Sequence, residues 1–247
     1  MTLDEHTFSM LNMQSIPGPA TPGSTTGTAS ATADLTARAR IRDAAIVRFA
    51  AHGVAGTSVR AIAADAGVSP GLVIHHFGSK DALRVACDQH VAATIRERKQ
   101  AAAAAGANLD PVAAVRDGAD GPPLLRYLAR TLVDGSPHVA ELVDELVEDA
   151  VGYMATGIET GMLKPVDDLR GCATVLTVWS LGSVVLHEHV QRLTGVDLTG
   201  DPAATGGWAV PASEILSKGI LAEALYDRVR AAYAAADPDT IGTGGAT

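Results

Sequence analysis

The sequence predicts an all-α protein, and three observations lead to that prediction. The chain has 247 residues, of which 47% are hydrophobic and only 4% are aromatic. Alanine is abundant, and it loses almost no side-chain entropy in a helix. Apolar residues recur at helical spacing between breaks at Gly and Pro, and no segment alternates as a strand does. Together these features predict a small N-terminal helical bundle followed by a larger C-terminal one.

The composition argues against several broad classes of protein. Cys87 and Cys172 are far apart and form no C-x-x-C pattern, which excludes a disulfide scaffold and a cysteine zinc site and suits a reducing compartment. No apolar stretch approaches the roughly 18 residues that a membrane-spanning helix needs. The first ten residues carry acids where a signal peptide has bases. We therefore expect a soluble cytoplasmic protein without membrane contacts, and no motif suggests a cofactor or a metal.

The net charge of −9 conceals an asymmetry along the chain. Residues 34–100 carry ten Lys or Arg against six acids, whereas residues 101–247 carry nine against twenty. A basic N-terminal third on an acidic body suggests that one end meets a polyanion. The alternative is ordinary variation in surface charge, and charge alone does not decide between the two.

Pro, Gly, Ser and Thr dominate residues 14–33, and residues 237–247 have a similar composition typical of disorder. We therefore expect a disordered arm (1–33), a small helical domain (34–83), a larger helical domain (84–236) and a disordered tail (237–247). The predicted helices span about 34–52, 59–66, 70–77, 80–100, a short one after Pro111, 122–134, one opened by Ser136 and Pro137 and closed by Gly161 and Pro165, 168–194 and 213–235.

Two of the predicted short helices have the spacing of a helix-turn-helix motif. The helices 59–66 and 70–77 are joined by Gly67-Val68-Ser69. Gly67 permits the positive φ of a tight turn, and Ser69 can cap the second helix. In such motifs the N-terminal turn of the second helix enters the major groove of DNA.

The stretch GTSVRAIAADAGVSPGLVIHHFGSKDAL (56–83) resembles the DNA-binding signature of the TetR family of bacterial transcriptional regulators. The match covers about residues 35–83, and the later stretch TGIETGMLKPVDDLRGCATVL resembles a C-terminal theme of the family more weakly. The resemblance implies a homodimeric DNA-binding regulator, in the first instance a repressor that a small hydrophobic ligand releases from a palindromic operator in double-stranded DNA.

Residues at helix N-termini and on the second short helix are the candidate DNA contacts. Hydroxyls and free N–H groups at a helix N-terminus suit phosphate, and Lys80 matches the family's phosphate-contacting lysine. Ile74 stands where the family usually has a tyrosine that binds phosphate, and Leu72 replaces a frequent threonine, which implies an apolar contact such as one with a thymine methyl. The predicted DNA contacts are Thr57, Ser58, Arg60, Ser69, Pro70, Gly71, Leu72, His75, His76 and Lys80.

The resemblance also implies that the C-terminal domain dimerises through its last two long helices and encloses a ligand pocket. The segments 168–194 and 213–235 are apolar on more than one side, which requires burial on more than one side. Polar or aromatic residues within the apolar helices are the candidate ligand contacts. They are Tyr127, Tyr153, Met154, Cys172, Trp179 and His187.

Three alternatives stay open on the sequence alone. The regulator could activate transcription or act without a ligand. An all-α enzyme is a second class, although no nucleophile elbow, H-E-x-x-H, P-loop or G-x-G-x-x-G motif occurs in the chain. A helical binding protein with weakened DNA binding is the third, and Ile74 is the residue that suggests it.

Overall fold

The computed structural model describes residues 26–110, 113, 121–134, 138–220 and 223–236. Within these ranges the chain forms ten α-helices and two short 3-10 turns and contains no strand, which confirms the all-α prediction. The helices are α1 (Thr26–His52), α2 (Val59–Ala66), α3 (Pro70–Phe77), α4 (Lys80–Ala105), α5 (Gly121–Leu132), α6 (His138–Glu159), α7 (Leu169–Val185), α8 (His187–Thr194), α9 (Gly206–Lys218) and α10 (Glu223–Ala236).

The first helix begins earlier than predicted. α1 starts at Thr26, so residues 26–33, which the sequence assigns to the arm, belong to this helix. Once a helix is nucleated, each added residue contributes one more hydrogen bond, and this stretch contains several alanines. The rest of the predicted arm, the predicted tail and the short helix after Pro111 lie outside the described residues.

The described chain divides into two units, with the boundary between residues 36 and 37. The second unit contains residues 37–83 of the smaller predicted domain (34–83), which we call the head, and the larger predicted domain (84–236), which we call the body. One buried cluster joins them: Phe49 and Val73 of the head are in the same core as Cys87 of α4 and as Tyr127 and Leu142 of the body. The predicted boundary between residues 83 and 84 is therefore bridged by a continuous core, with α4 as the shared element.

The body is built around packing of α4 on α6, of α6 on α7 and of α5 on α7. A second, smaller buried cluster lies between α6 and α7 and is centred on Ala150, Met154 and Ala173. Asp168 caps α7, because its carboxylate accepts a hydrogen bond from the Gly171 N–H at 2.8 Å. The segments predicted to be apolar on several sides bury only part of their apolar surface within the described chain, since Val175 is 67% exposed and Leu216 is 58% exposed.

Two predicted helices are each divided in the structure. The helix predicted at 168–194 breaks at Leu186, where α7 and α8 meet at an angle of 76°. No proline marks this break, and after the bend Val190 is buried. The helix predicted at 213–235 is α9 and α10, separated at Gly219, whose φ of 71° lies in the left-handed region that glycine adopts most readily.

The loop predicted between residues 195 and 212 is also partly helical. α9 begins at Gly206 and continues through Pro211, at the cost of one backbone hydrogen bond. Within the part of the chain that the structure covers, no single helix is long and apolar enough to span a membrane. The bent pair α7 and α8 meets the length and composition criterion only when the two are taken together.

Candidate DNA-binding surface

Two serine caps and one glycine define the helix-turn-helix formed by α2 and α3. Ser58 caps α2 by accepting a hydrogen bond from the Ala61 N–H at 3.2 Å, and Ser69 caps α3 in the same way from Leu72. Gly67 ends α2 with φ of 65° and ψ of 39°, the left-handed conformation that the sequence predicts. The helix-turn-helix is therefore formed mainly by local hydrogen bonds.

The core side of α3 decides which of its residues reach solvent. Val73 is 1% exposed and anchors the helix in the head core. Because successive residues turn by about 100° around a helix, Gly71 and His75 lie roughly opposite Val73, and both are exposed. Leu72, on the flank, is half-buried. Ser69 and Pro70 are exposed at the N-terminal turn, as a surface that enters a DNA groove requires.

Ile74 makes the other flank of this surface apolar. Its side chain is 44% exposed, and it carries no group that can hydrogen-bond a phosphate. The neighbouring His75 is exposed and can act as a donor from the same helix. The α3 surface thus combines one imidazole donor with two partly exposed aliphatic side chains.

His76 and Phe77 lie nearer the core than His75. Both are half-buried, with their ring centroids 6.3 Å apart in an edge-to-face arrangement. The guanidinium of Arg38 lies over the Phe77 ring, 5.3 Å from its centroid. The end of α3 is therefore held against α1, and His76 is less accessible to DNA than His75.

Thr57 requires a correction to the predicted set of DNA contacts. The residue is 4% exposed, and its hydroxyl donates to the Gly53 carbonyl at 2.8 Å. That hydroxyl also lies 3.3 Å from the carbonyl of Arg48. The side chain therefore stabilises the connection between α1 and α2, and the expectation that its hydroxyl faces a phosphate does not fit the structure.

Lys80 has a structural role that the sequence did not indicate. Its ammonium donates to the carbonyls of Val54 at 2.7 Å and Thr57 at 3.1 Å, across the connection that precedes α2. Both of these carbonyls belong to a non-helical segment, where the Val54 carbonyl also accepts from the Thr57 N–H at 3.3 Å, so the lysine adds hydrogen bonds that hold this connection in place. One of the three ammonium N–H groups is left for a phosphate.

Ion pairs fix the outer side of the head. Arg48 on α1 and Asp65 on α2 form a bidentate pair, and the hydrogen bond from Arg48 lowers the pKa of the Asp65 carboxyl. Arg42 pairs with the adjacent Asp43 at 2.7 Å. Arg60, in the first turn of α2, is exposed near the α2 N-terminus. Of these arginines, Arg60 has the placement of a DNA contact.

A buried polar network connects α4 with α5 just behind the head. The Tyr127 hydroxyl, 2.6 Å from the carboxylate of Asp88, donates to it, and Arg84 Nη1 lies 2.9 Å from the carboxylate of Asp134. Burial raises the pKa of Asp88, although the hydrogen bond from Tyr127 and the charge of Arg84 act in the opposite direction. Arg84 and Asp88 were not among the predicted functional residues; their i, i+4 spacing is the sequence signal that could have indicated them.

The structure does not bring the six predicted ligand contacts together. Tyr127 is 1% exposed and its hydroxyl binds Asp88, so it is a core residue rather than a pocket residue. Met154 is buried, and Tyr153 and Cys172 pack with it between α6 and α7. Trp179 is 37% exposed on α7. His187 begins α8, beyond the bend.

The head therefore defines a class of protein: a helix-turn-helix regulator of transcription, with a capped recognition helix exposed on a rigid three-helix support. Residues 41–87 match the family model described as bacterial regulatory proteins, tetR family. Residues 120–222 match the model for the tetracyclin repressor-like C-terminal domain. The chain belongs to the TetR family of DNA-binding transcriptional regulators.

A curated relative extends the similarity over most of the chain. The HTH-type transcriptional regulatory protein RaaS of Mycobacterium tuberculosis is 38% identical over 200 residues, which are 79% of this chain and 92% of the relative. The HTH-type transcriptional repressor Rv3405c of the same organism is 38% identical over 115 residues, 43% of this chain and 56% of the relative.

Solved structures agree on the fold. The transcriptional regulator FadR from Bacillus subtilis, solved in complex with stearoyl-CoA, is 18% identical with a TM-score of 0.52, over 74% of this chain and 99% of that one. A TetR regulator from Chloroflexus aurantiacus is 24% identical with a TM-score of 0.50, over 75% of this chain and 97% of that one. At these identities the likeness extends to the fold alone.

Proposed function

We propose that the protein is a homodimeric repressor that binds a palindromic operator through α3 and the N-termini of α2 and α4. The observation that carries the proposal is the exposed N-terminal turn of α3, Ser69 to Leu72, capped by Ser69 and anchored behind by Val73. A capped helix N-terminus directs N–H groups and positive potential at whatever lies before it, which suits a phosphate or an acceptor on a base edge.

The proposed contacts divide into those that position the head and those that read bases. Ser58, Arg60 and the remaining N–H of Lys80 would bind phosphates. Gly71, Leu72 and His75 would face the base edges, with Leu72 against a thymine methyl. Ser69 and Pro70 would lie at the groove entrance, and His76 is a secondary candidate. Thr57 is excluded from the side-chain contacts for the reason given above.

The second part of the proposal is the dimer. Exposed apolar side chains line three helices of the body and are not covered by the other described parts of the chain. On α7 they include Val175, Val178 and Trp179; on α9, Val210 and Leu216; on α10, Tyr226, Val229 and Tyr233. We call these the rear stripes. A monomer rarely exposes so much apolar surface, which favours a second copy of the chain as the cover.

Repression and release follow from the geometry of a dimer. Both recognition helices must lie about 34–36 Å apart, one turn of DNA, to bind two half-sites. A ligand that prefers a dimer whose recognition helices have a different separation lowers the affinity for the operator. The size of the effect is set by how much more tightly the ligand binds that dimer than the DNA-binding one. The fold shared with FadR, solved with stearoyl-CoA, supports a small-molecule ligand for this chain without indicating which one.

Operator binding is tested with DNA fragments that the purified protein retains from a random-sequence duplex library. Fluorescence anisotropy with the retained duplex should show an affinity that falls linearly with salt on logarithmic axes. Arg60→Ala should weaken binding and reduce that slope by about one, because one phosphate contact is lost. The matched control is Arg192→Ala, since Arg192 is an exposed arginine on α8 in the body.

Either of two results would contradict the proposal. One is retention of no sequence in preference to bulk DNA. The other is binding that is insensitive to salt and to Arg60→Ala, which would support the alternative of a helical binding protein whose head does not act on DNA.

A further inference from the structure

A cavity of about 170 Å³ lies in the body, away from the six predicted ligand contacts. Its walls come from α4, α5 and the segment after α8, so they join residues more than 100 positions apart in sequence. Most of the side chains that line it are aliphatic, among them Ile95, Leu124, Leu125 and Leu198. None of the six predicted residues is part of the wall.

A hydrogen-bonded link holds the roof of this cavity in place. Arg126 on α5 donates from Nε to the hydroxyl of Thr199 at 3.1 Å. The backbone N–H and the hydroxyl of Thr199 both donate to Asp197, each at 2.8 Å. These hydrogen bonds lower the pKa of the Asp197 carboxyl. Leu198 and Gly200, on either side of Thr199, are thereby fixed over the cavity.

Arg98 supplies the charged part of the wall. Its side chain is half-buried, and Nη1 lies 3.5 Å from the position that a Cβ on Gly121 would take. A guanidinium has five N–H donors, so Arg98 can bind a ligand acceptor alongside other partners. The hydroxyl of Thr94, also in the wall, donates to its own helix at His90 O and is therefore available to a ligand only as an acceptor.

The size of the cavity limits what it can hold. A dry, apolar cavity of about 150 Å³ in another protein is known to bind benzene. At about 170 Å³, this cavity, which is partly open to the surface, accommodates one six-membered ring with a small substituent and is too small to enclose a long acyl chain. The arginine on its wall favours a substituent that is an anionic acceptor, because a carboxylate and a guanidinium form strong paired hydrogen bonds.

We propose that this cavity is the ligand site of the regulator and that it takes a compact aromatic or alicyclic carboxylate of about one ring, bound by Arg98. The assignment as a regulatory site rests on the proposed function; the assignment as a binding site does not. Ligand binding would press on Leu124 and Leu125 of α5, the helix that carries Tyr127 and is followed by Asp134 in the network with α4.

Isothermal titration of the full chain with single-ring probes tests the chemical class. Benzoate should bind, and the affinities for benzamide and toluene should be at least tenfold lower. Hexadecanoate should not bind at this site. Arg98→Met should reduce benzoate affinity at least tenfold and leave toluene unchanged. Arg130→Met is the matched control, because Arg130 lies on α5 and does not line the cavity. Equal affinity for the three small probes, or preference for hexadecanoate, would overturn the proposed class.

Filling the cavity tests the location. Thr94→Phe and Leu198→Phe, introduced separately, should each abolish binding of benzoate and toluene, while the far-ultraviolet circular dichroism and the melting temperature of a binding-deficient variant show that it is folded. Benzoate binding that both filled variants retain, or the absence of saturable binding of any probe to the parent chain, would overturn the site.

Regulation is measured separately on the complex with the retained duplex. Benzoate should lower operator affinity of the parent at least fivefold and should have no effect on Arg98→Met. Operator binding without this response, in a chain that binds benzoate, would contradict the regulatory half of the inference and leave both the site and the proposed DNA binding standing. Failure to bind any duplex would count against the proposed function alone.

Discussion

The head buries many of its large apolar side chains, whereas the rear stripes leave theirs exposed. In the head, Ile41, Phe49, Ile62 and Val73 are at most 1% exposed, so the small bundle is complete within one chain. Among the rear stripes, Val175 is 67% exposed and Leu216 is 58% exposed. A region that must present a fixed surface to DNA is thus packed internally, whereas a region proposed to meet a second copy leaves its apolar surface outside.

The polar groups differ in the same way. In the head, Ser58, Ser69, Thr57 and Lys80 all satisfy backbone groups of the bundle itself. In the rear helices the described hydrogen bonds of serine side chains, such as Ser180 and Ser213, return to the preceding turn of the same helix. Hydrogen bonds within the chain therefore define the head, while association between copies would define the rear.

The largest expected effect is a loss of stability when the head core is opened. Phe49→Ala should lower the free energy of unfolding by about 3–5 kcal/mol, because a fully buried ring is removed and a cavity is left. Val47→Ala, two residues away on α1 but 54% exposed, should change it by less than about 0.5 kcal/mol. Urea unfolding followed by circular dichroism measures both, and similar losses for the two variants would contradict a complete head core.

The next effect concerns the rear stripes. The double substitution Val175→Asp, Val178→Asp should weaken a dimer by roughly 2–4 kcal/mol, the range for central interface residues, which is about 30- to 1000-fold in Kd. Sedimentation equilibrium measures it, with Ser180→Asp, on another side of α7, as the matched control. If the parent chain is monomeric at micromolar concentration, the rear stripes are not a dimer interface.

A substitution of Lys80 tests whether this lysine stabilises the fold or acts only on DNA. Lys80→Met should destabilise the protein by about 1.5–3 kcal/mol without DNA, because the carbonyls of Val54 and Thr57 lose charge-assisted hydrogen bonds. Lys218→Met removes an exposed i, i+4 pair with Glu214 and should cost no more than about 0.5 kcal/mol. If Lys80→Met reduced DNA binding while unfolding stayed at the parental level, the structural role would be wrong.

The smallest expected effect is a pH dependence at the junction of head and body. Burial raises the pKa of Asp88 above its ordinary value, so the folded state holds this proton more tightly than the unfolded chain. The loss of folding stability caused by the buried carboxylate charge of Asp88 is present in full above the raised pKa of the folded state. This loss declines as the pH falls towards the ordinary pKa of an aspartate in the unfolded chain. The parent should therefore gain stability relative to Asp88→Asn on acidification, as urea unfolding between pH 7 and pH 4 can measure.

The control for that experiment is Asp144→Asn, which removes an exposed carboxylate from α6. Its difference from the parent should not show the trend that Asp88→Asn shows. A difference between the parent and Asp88→Asn that is constant across the range would mean that Asp88 is not held in the buried environment described.

The sequence was sufficient where structure is local. The boundaries of α2 and α3, the cap at Ser69 and the left-handed Gly67 were all predicted correctly, because each depends on neighbours within four residues. The family resemblance rests on the same stretch, and the match of residues 41–87 confirms it. Propensity and capping reveal such features without knowledge of the rest of the fold.

Contacts between distant residues could not be predicted in this way. Thr57 and Lys80 have the residue types and positions of phosphate contacts, yet the structure directs both to backbone carbonyls. No proline near Leu186 predicts the break between α7 and α8. The cavity joins α4 to residues around 198–205, and no periodicity within either segment relates them.

What the amino-acid order determined by itself is the all-α class, the helix-turn-helix and the family, since these depend on residue type and short spacing. Packing between distant segments settles which hydroxyls and ammonium groups are already engaged, where the body has a cavity and which apolar stripes stay uncovered. The physical reason is that burial and hydrogen bonding of a side chain depend on every segment that packs near it, and most of those segments are far away along the chain.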